Sequence, residues 1–274
     1  MVASEAVKIK YVTKAAGISN GWKKWQGEME GLKKTDAFGK KQKYEAEYNR
    51  LLNSNAALKA KYGGVLEELN ANVIKSNDYV KIREYSLEIL RTNIEMLRYY
   101  SKLDALVNAF EKNGGEEMMK KADAVKSWGP GYFKNYERKI DEETFAALLQ
   151  MYYNDVDKEY IFKGLESLAP NSDQYTANVK ALFDASYLNS EEKLNELLIK
   201  KPEDMANSIK SDPAYIFYKE MIDQYNEKVA PKVTLYEGLV TSGMEKYMAA
   251  QMEVFKDRKF YPDANSTLRV TYGK

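Results

Sequence analysis

The chain has 274 residues, which is enough for one large domain or two smaller ones. Its 42 basic and 41 acidic side chains nearly cancel, so the net charge of +1 argues against nucleic-acid binding and against a polybasic membrane contact. With no cysteine and no histidine, the chain cannot form disulfides, sulfur-ligated zinc sites or a histidine-based catalytic triad by itself, and we expect no metal and no cofactor.

Hydrophobic residues recur at spacings of three, four and seven through most of the chain, a pattern that predicts amphipathic helices. Breaks are predicted at Asn53-Ser54-Asn55, at Asn113-Gly114-Gly115, at Trp128-Gly129-Pro130-Gly131 and at Pro231. Asp212 is predicted to cap a helix that has Pro213 at its first position. The predicted helices cover about 4–27, 35–53, 56–73 with a kink near Gly63-Gly64, 78–112, 116–127, 144–154, 174–187, 190–200, 213–230 and 234–258.

The last fifteen residues, 260–274, differ from everything before them. Pro262-Asp263-Ala264-Asn265 has the composition of a turn. After it, Leu268, Val270 and Tyr272 alternate with polar residues, and this period of two predicts a strand. A strand needs partners for its backbone groups, and no other segment of this chain has that pattern. We therefore expect the sheet to lie in a further part of a larger protein.

Charge is unevenly distributed along the chain. Residues 1–62 carry thirteen basic and six acidic side chains, a local net charge of +7. The simpler interpretation is a solvated helix surface. The alternative is that the N-terminal helices face an anionic partner or an acidic substrate.

Small residues share one face of the first predicted helix. Thr13, Ala16, Gly17, Asn20 and Gly21 lie at helical spacings of three, four, seven and eight. Two glycines inside a helix each cost about 1 kcal/mol relative to alanine, which is tolerable where a second backbone or a ligand comes close. The local pattern fits either tight helix packing or a ligand whose polar groups meet the amide of Asn20.

Three segments of the chain resemble one protein family. They are Ile9-Lys10-Tyr11 with 15–25 (AAGISNGWKKW), 60–66 (AKYGGVL) and 260–274 (FYPDANSTLRVTYGK). Together they resemble the inserted helical domain of bacterial serine dipeptidyl-peptidases of the dipeptidyl-peptidase 7 and 11 type. The last segment is the most specific of the three, and the resemblance extends over the whole chain.

The resemblance implies that this chain caps a chymotrypsin-type double β-barrel that carries the Ser-His-Asp triad. The nucleophile motif of that family is absent here, so the resemblance implies no catalytic residue in this chain. It implies that the helical domain restricts access to peptide N-termini and helps bind the substrate α-amine, with Asn20 at the matching position and Gly17 and Gly21 on the close-approach face. The implied parent is periplasmic or attached to the surface of a Gram-negative bacterium, and the resemblance is compatible with a homodimer.

We therefore predict an all-α, elongated multi-helix domain at 1–259, with a junction and strand at 260–274 that return to the β-barrel. Hinges are expected near Ser4 and 259–264. The expected partners are a peptide substrate and the barrel, with no nucleic acid and no membrane span. The alternative is a free-standing helical scaffold or peptide-binding module without catalysis.

Overall fold

A computed structural model describes residues 5–261, 270 and 273, and this part of the chain is helical without any strand. The prediction of an all-α fold is confirmed for it. The predicted turn at 262–265, most of the strand at 268–272 and the hinge position Ser4 lie outside the described residues. The α-helices of the described part are α1 Glu5–Lys34, α2 Ala37–Asn53, α3 Ala56–Tyr62, α4 Val65–Leu87, α5 Glu95–Asn113, α6 Gly115–Asn135, α7 Arg138–Asp155, α8 Lys163–Ser167, α9 Tyr175–Ala185, α10 Glu191–Leu198, α11 Pro202–Lys210, α12 Pro213–Gln224 and α13 Ala230–Val254.

Several helix ends follow the predicted capping chemistry. The side chain of Asn55 accepts hydrogen bonds from the amides of Ala57 and Leu58, which begins α3. Asp212 caps α12 in the same way, with Pro213 in the first turn. Between α5 and α6, Gly114 has φ of 83°, a conformation that favours glycine.

The predicted single helix over 78–112 is wrong. Helix α4 ends at Leu87 and a π-helical turn follows at Glu88–Asn93. Ile94 is extended and fully buried before α5 begins. The first amides of α5 are capped by the carboxylate of Asp141, with Glu95 N 2.6 Å from Oδ1 and Met96 N 2.9 Å from Oδ2. This capping group comes from α7, so the nearby sequence contains no signal for the break.

Two predicted proline breaks are also wrong. Helix α6 continues through Trp128-Gly129-Pro130-Gly131, with Gly129 buried against Leu194. At the other position, a π-helical turn at Tyr225–Val229 joins α12 to α13, and Pro231 lies in the first turn of α13. A π-turn changes the local backbone bonding, which lets the helical path continue past a residue without an N–H.

Packing divides the chain into two compact units, although the sequence contains no linker. Unit 1 consists of 1–21 and 76–235, and unit 2 consists of 22–75 and 236–274. The division falls inside α1, α4 and α13, which explains why no break in composition marks it.

Each unit has its own hydrophobic core. The core of unit 1 is built on α5 and includes Leu97, Tyr100, Leu103, Phe145 and Phe183, all almost completely buried. The smaller core of unit 2 brings residues from α2, α3, α4 and α13 together. Among the described residues, no helix has both the length and the apolar character needed to cross a bilayer.

Candidate functional site

The predicted site residues all lie on α1, a helix of 30 residues. Gly17 and Asn20 are exposed and Gly21 is half-buried, and all three share one side of the helix. The Asn20 side chain makes no hydrogen bond with another described residue. A Cβ added at Gly17 or Gly21 would meet no atom within 4 Å. The described part of the chain therefore contains no second helix packed on this face, and the tight-packing interpretation is not met within it.

The base of α1 is fixed on unit 1 by both burial and polar contacts. Val7 and Tyr11 are buried, and the Tyr11 hydroxyl accepts a hydrogen bond from the Glu137 amide at 3.1 Å. One turn further on, the Lys14 ammonium donates to the Asn93 carbonyl at 3.0 Å and to the Glu95 carboxylate at 3.1 Å. The last of these contacts, at Lys14, lies only six residues before Asn20, so they define the position from which its amide projects.

Beneath these contacts is a buried acid. Asp141 is 2% exposed, and its carboxylate accepts the two amide bonds from the start of α5. Burial raises the pKa of Asp141 to about 6, while the amides of Met96 and Glu95 lower that pKa and the Glu95 carboxylate raises it. The same Glu95 is the partner of Lys14, so the support of α1 and the cap of α5 are parts of one polar network.

Beyond the glycines, α1 presents large apolar side chains to solvent. Trp22 is 58% and Trp25 is 63% exposed, and Ile18, Met29 and Leu32 are exposed to a similar degree. By contrast, Val7 and Tyr11 near the beginning of the same helix are buried. Exposed apolar rows of this kind are typical of surfaces that contact another molecule or another part of the same protein.

The chemistry available on this face is that of an amide flanked by glycines. The carboxamide of Asn20 offers an oxygen that accepts from an ammonium group and an N–H that donates to a carbonyl. Because no side chain projects from Gly17 or Gly21, a ligand can approach the helix backbone closely.

The sequence analysis did not identify Lys14, Glu95 or Asp141 as parts of the site. The Lys14 bonds join α1 to residues 79 and 81 positions further along the chain, and the Asp141 bonds join α7 to residues 45 and 46 positions earlier. Local periodicity carries no information on contacts at such separations.

The chain matches known proteins along its whole length. A family model described as peptidase S46 matches residues 1–274. The Asp/Glu-specific dipeptidyl-peptidase of Flavobacterium psychrophilum is 31% identical over 275 residues, which is all of this chain and 38% of that protein. The dipeptidyl-peptidase 7 of Phocaeicola vulgatus is 27% identical over 289 residues, again all of this chain and 37% of that protein. The chain thus spans less than two fifths of the length of these relatives.

The fold also matches a solved structure. The crystal structure of Porphyromonas endodontalis DPP11 in complex with the dipeptide Arg-Glu superposes with a TM-score of 0.67 at 18% identity. The match covers 92% of this chain and 35% of that one. At this identity the match shows a shared helical fold.

Proposed function

Because the chain belongs to the peptidase S46 family, we propose that it is the helical cap domain of a serine dipeptidyl-peptidase that releases dipeptides from peptide N-termini. Relatives named as dipeptidyl-peptidases align with the chain from end to end, and they are more than twice its length. In this proposal the nucleophile and its base lie in the remaining part of the protein, since this chain contains no histidine.

The observation that carries the proposal is the open, glycine-flanked face around Asn20. An enzyme that removes dipeptides must bind a free α-amine and block the cleft beyond two residues. The Asn20 oxygen accepts a hydrogen bond from the ammonium group, and the glycines let the peptide end approach α1. The contacts of Tyr11 and Lys14 hold the backbone of α1 in place next to this residue, so the helix needs little further ordering when the peptide binds.

The exposed apolar side chains of α1 have a role in the same proposal. Trp22, Trp25 and Met29 form the surface that faces the catalytic barrel or the bound peptide. The side-chain preference at the scissile bond is set by the rest of the protein. In this proposal the full-length protein lies in the periplasm or on the cell surface, and a homodimer stays a prediction.

The test replaces Asn20 with Ala in the full-length protein. We expect kcat/KM for a dipeptidyl reporter with a free amine to fall roughly tenfold, equivalent to about 1.4 kcal/mol of transition-state binding. The same reporter with an acetylated amine should be cleaved at background level by both proteins. Asn49→Ala is the matched control, because Asn49 is also an exposed amide inside a helix. Unchanged kcat/KM in Asn20→Ala would show that this amide takes no part in amine binding.

The role of the glycine face is tested by comparing the activity and stability of the Gly21→Ala variant with those of Gly27→Ala. Neither added methyl meets an atom within 4 Å, so each change should stabilise α1 by up to about 1 kcal/mol. Only Gly21→Ala should also lower kcat/KM, because only that methyl would project toward the peptide. Equal activity in the two variants would remove Gly21 from the site.

A further inference from the structure

A second candidate site lies wholly within unit 1 and shares no residue with α1. It is a pocket of about 730 Å³ between α5, the segment 161–163, the end of α11, α12 and the π-helical turn Tyr225–Val229. Its volume is within the range of pockets that bind small organic molecules.

The pocket has an apolar floor. Val107, Ile161, Phe162 and Tyr215 line it, and each is more than nine-tenths buried. The Tyr215 hydroxyl donates to the Asp104 carboxylate at 2.9 Å, which fixes the ring. The floor is therefore preformed and suits an apolar side chain of a ligand.

The rim of the pocket has four lysines and four carboxylates, so its formal charge is zero. Several of these groups are already paired: Lys210 with Glu111, and Lys219 with Asp223 at 2.9 Å. Glu220 accepts the amide of Gly164 at 2.6 Å, which holds the segment before α8 against α12. These contacts build the wall of the pocket.

Charges of both signs are left for a ligand. The side chains of Lys163 and Glu227 form no ion pair with the described residues, and Lys228 donates only to the Glu159 backbone carbonyl at 3.1 Å. A ligand that uses all three groups must itself carry both a positive and a negative charge.

The amide of Gln224 supplies an independent sign of a ligand. Gln224 lines the pocket, and its Nε2 is buried without a hydrogen-bond partner. A buried donor without a partner costs about 1–3 kcal/mol, and such donors are rare in folded proteins. Gln224 also immediately precedes the π-helical turn, and insertions of this kind occur frequently at functional sites.

We propose that this pocket binds a short zwitterionic peptide. The peptide carboxylate lies at Lys163 and Lys228, and its ammonium lies at Glu227. An apolar side chain rests on the floor of Ile161 and Phe162. Because Gln224 Nε2 is shielded from solvent in the free chain, the side chain turns into the pocket on binding, and its N–H then donates to the peptide carbonyl. A dipeptide has all four of these groups.

The experiment titrates the 274-residue chain with the dipeptide Ala-Phe and follows isoleucine methyl groups by NMR. The methyl signals of Ile161 and Ile216, which line the pocket, should shift in a saturable manner, while those of Ile74 in unit 2 stay in place. Ala-Phe amide should bind roughly tenfold more weakly, because the lysines lose the carboxylate. No shift at either isoleucine at about 10 mM Ala-Phe, a concentration that saturates a millimolar site, would overturn the proposal.

The decisive variant is Gln224→Leu, which keeps the size of the side chain. It should weaken Ala-Phe binding roughly tenfold and also raise the melting temperature, because the unpaired buried amide is gone. A purely structural role predicts no loss of binding together with that gain in stability. Gln42→Leu, at an exposed helical glutamine in α2, is the matched control and should leave binding unchanged. Equal affinity in Gln224→Leu and the control would overturn the assignment, and Asn20→Ala should not affect this site.

Discussion

At the scale of single residues, Asp141 belongs to the polar network that supports the base of α1. Its carboxylate joins the start of α5 to α7, and its neighbour Glu95 binds Lys14 on α1. The charged form of Asp141 is compensated by two backbone amides but is taken almost completely out of water. The net effect raises the pKa of Asp141, so the stability of this polar network depends on pH.

This balance predicts how stability changes with pH. The pKa of Asp141 in the folded chain is about 6, above the value of 3.8 for an unperturbed aspartate. The folded chain thus binds the proton more tightly than the unfolded chain, and the stabilisation is complete below pH 4 and lost as the pH rises through about 6. The loss is about 3 kcal/mol.

Urea unfolding at pH values from 4 to 8 measures the effect. Asp141→Asn stays uncharged throughout, and its other carboxylates titrate as in the wild type. The free energy of unfolding of the wild type relative to this variant should therefore fall between pH 4 and pH 7. A constant difference across that range would mean that Asp141 titrates near its normal value.

At the scale of the elements, α6 shows how tertiary contacts override a local breaker. Pro130 lies inside α6 and is exposed, while Met118, Ala122 and Val125 of the same helix are buried in the core of unit 1. The Tyr99 hydroxyl donates to the Val125 carbonyl at 3.0 Å, one residue before Lys126, whose carbonyl has no partner N–H at Pro130. Packing of the whole helix outweighs the local cost.

Pro130→Ala should therefore stabilise the chain. The change restores an N–H donor and removes the ring from the helix interior, and we expect the free energy of unfolding to rise by at least about 1 kcal/mol. Thermal unfolding followed by circular dichroism measures it. Pro213→Ala is the control, since Pro213 lies in the first turn of α12, where a proline costs nothing, and it should give no gain. Equal effects in the two variants would contradict this account of α6.

At the scale of the whole molecule, the chain is a family member that spans 38% of the length of an Asp/Glu-specific relative. The cap-domain proposal and the free-standing alternative differ in whether the protein needs further sequence. As a cap domain it supplies a face for the peptide end and no nucleophilic machinery. As a free-standing scaffold it would need no further sequence, and the length of its open reading frame distinguishes the two.

We expect the purified 274-residue chain to release no dipeptide from a free-amine reporter above background. The physical reason is that the chain has no cysteine to act as a thiol nucleophile and no histidine to act as the imidazole base of a serine nucleophile. The full-length protein at the same concentration is the positive control. Sustained release by the chain alone, unaffected by further purification, would contradict the cap-domain proposal.

The sequence by itself determined the all-α class and several helix ends, and it predicted the candidate residues Gly17, Asn20 and Gly21. These are local properties: periodicity, capping side chains such as Asn55 and Asp212, and the glycine at positive φ between α5 and α6 depend on residues within a few positions of one another. The family resemblance, also visible in the sequence, is confirmed by the match to the peptidase S46 family.

Only the tertiary structure decided where α5 begins, that α6 and the path from α12 to α13 continue past their prolines, and that two units share three helices. It also showed that the face of Asn20 is open and that Trp22 and Trp25 are exposed. Each of these depends on contacts between residues far apart in the chain, such as Asp141 with Glu95 or Lys14 with Asn93. The local free energies that a sequence pattern reports are about 1 to 3 kcal/mol per residue, and the burial of a helix face outweighs them.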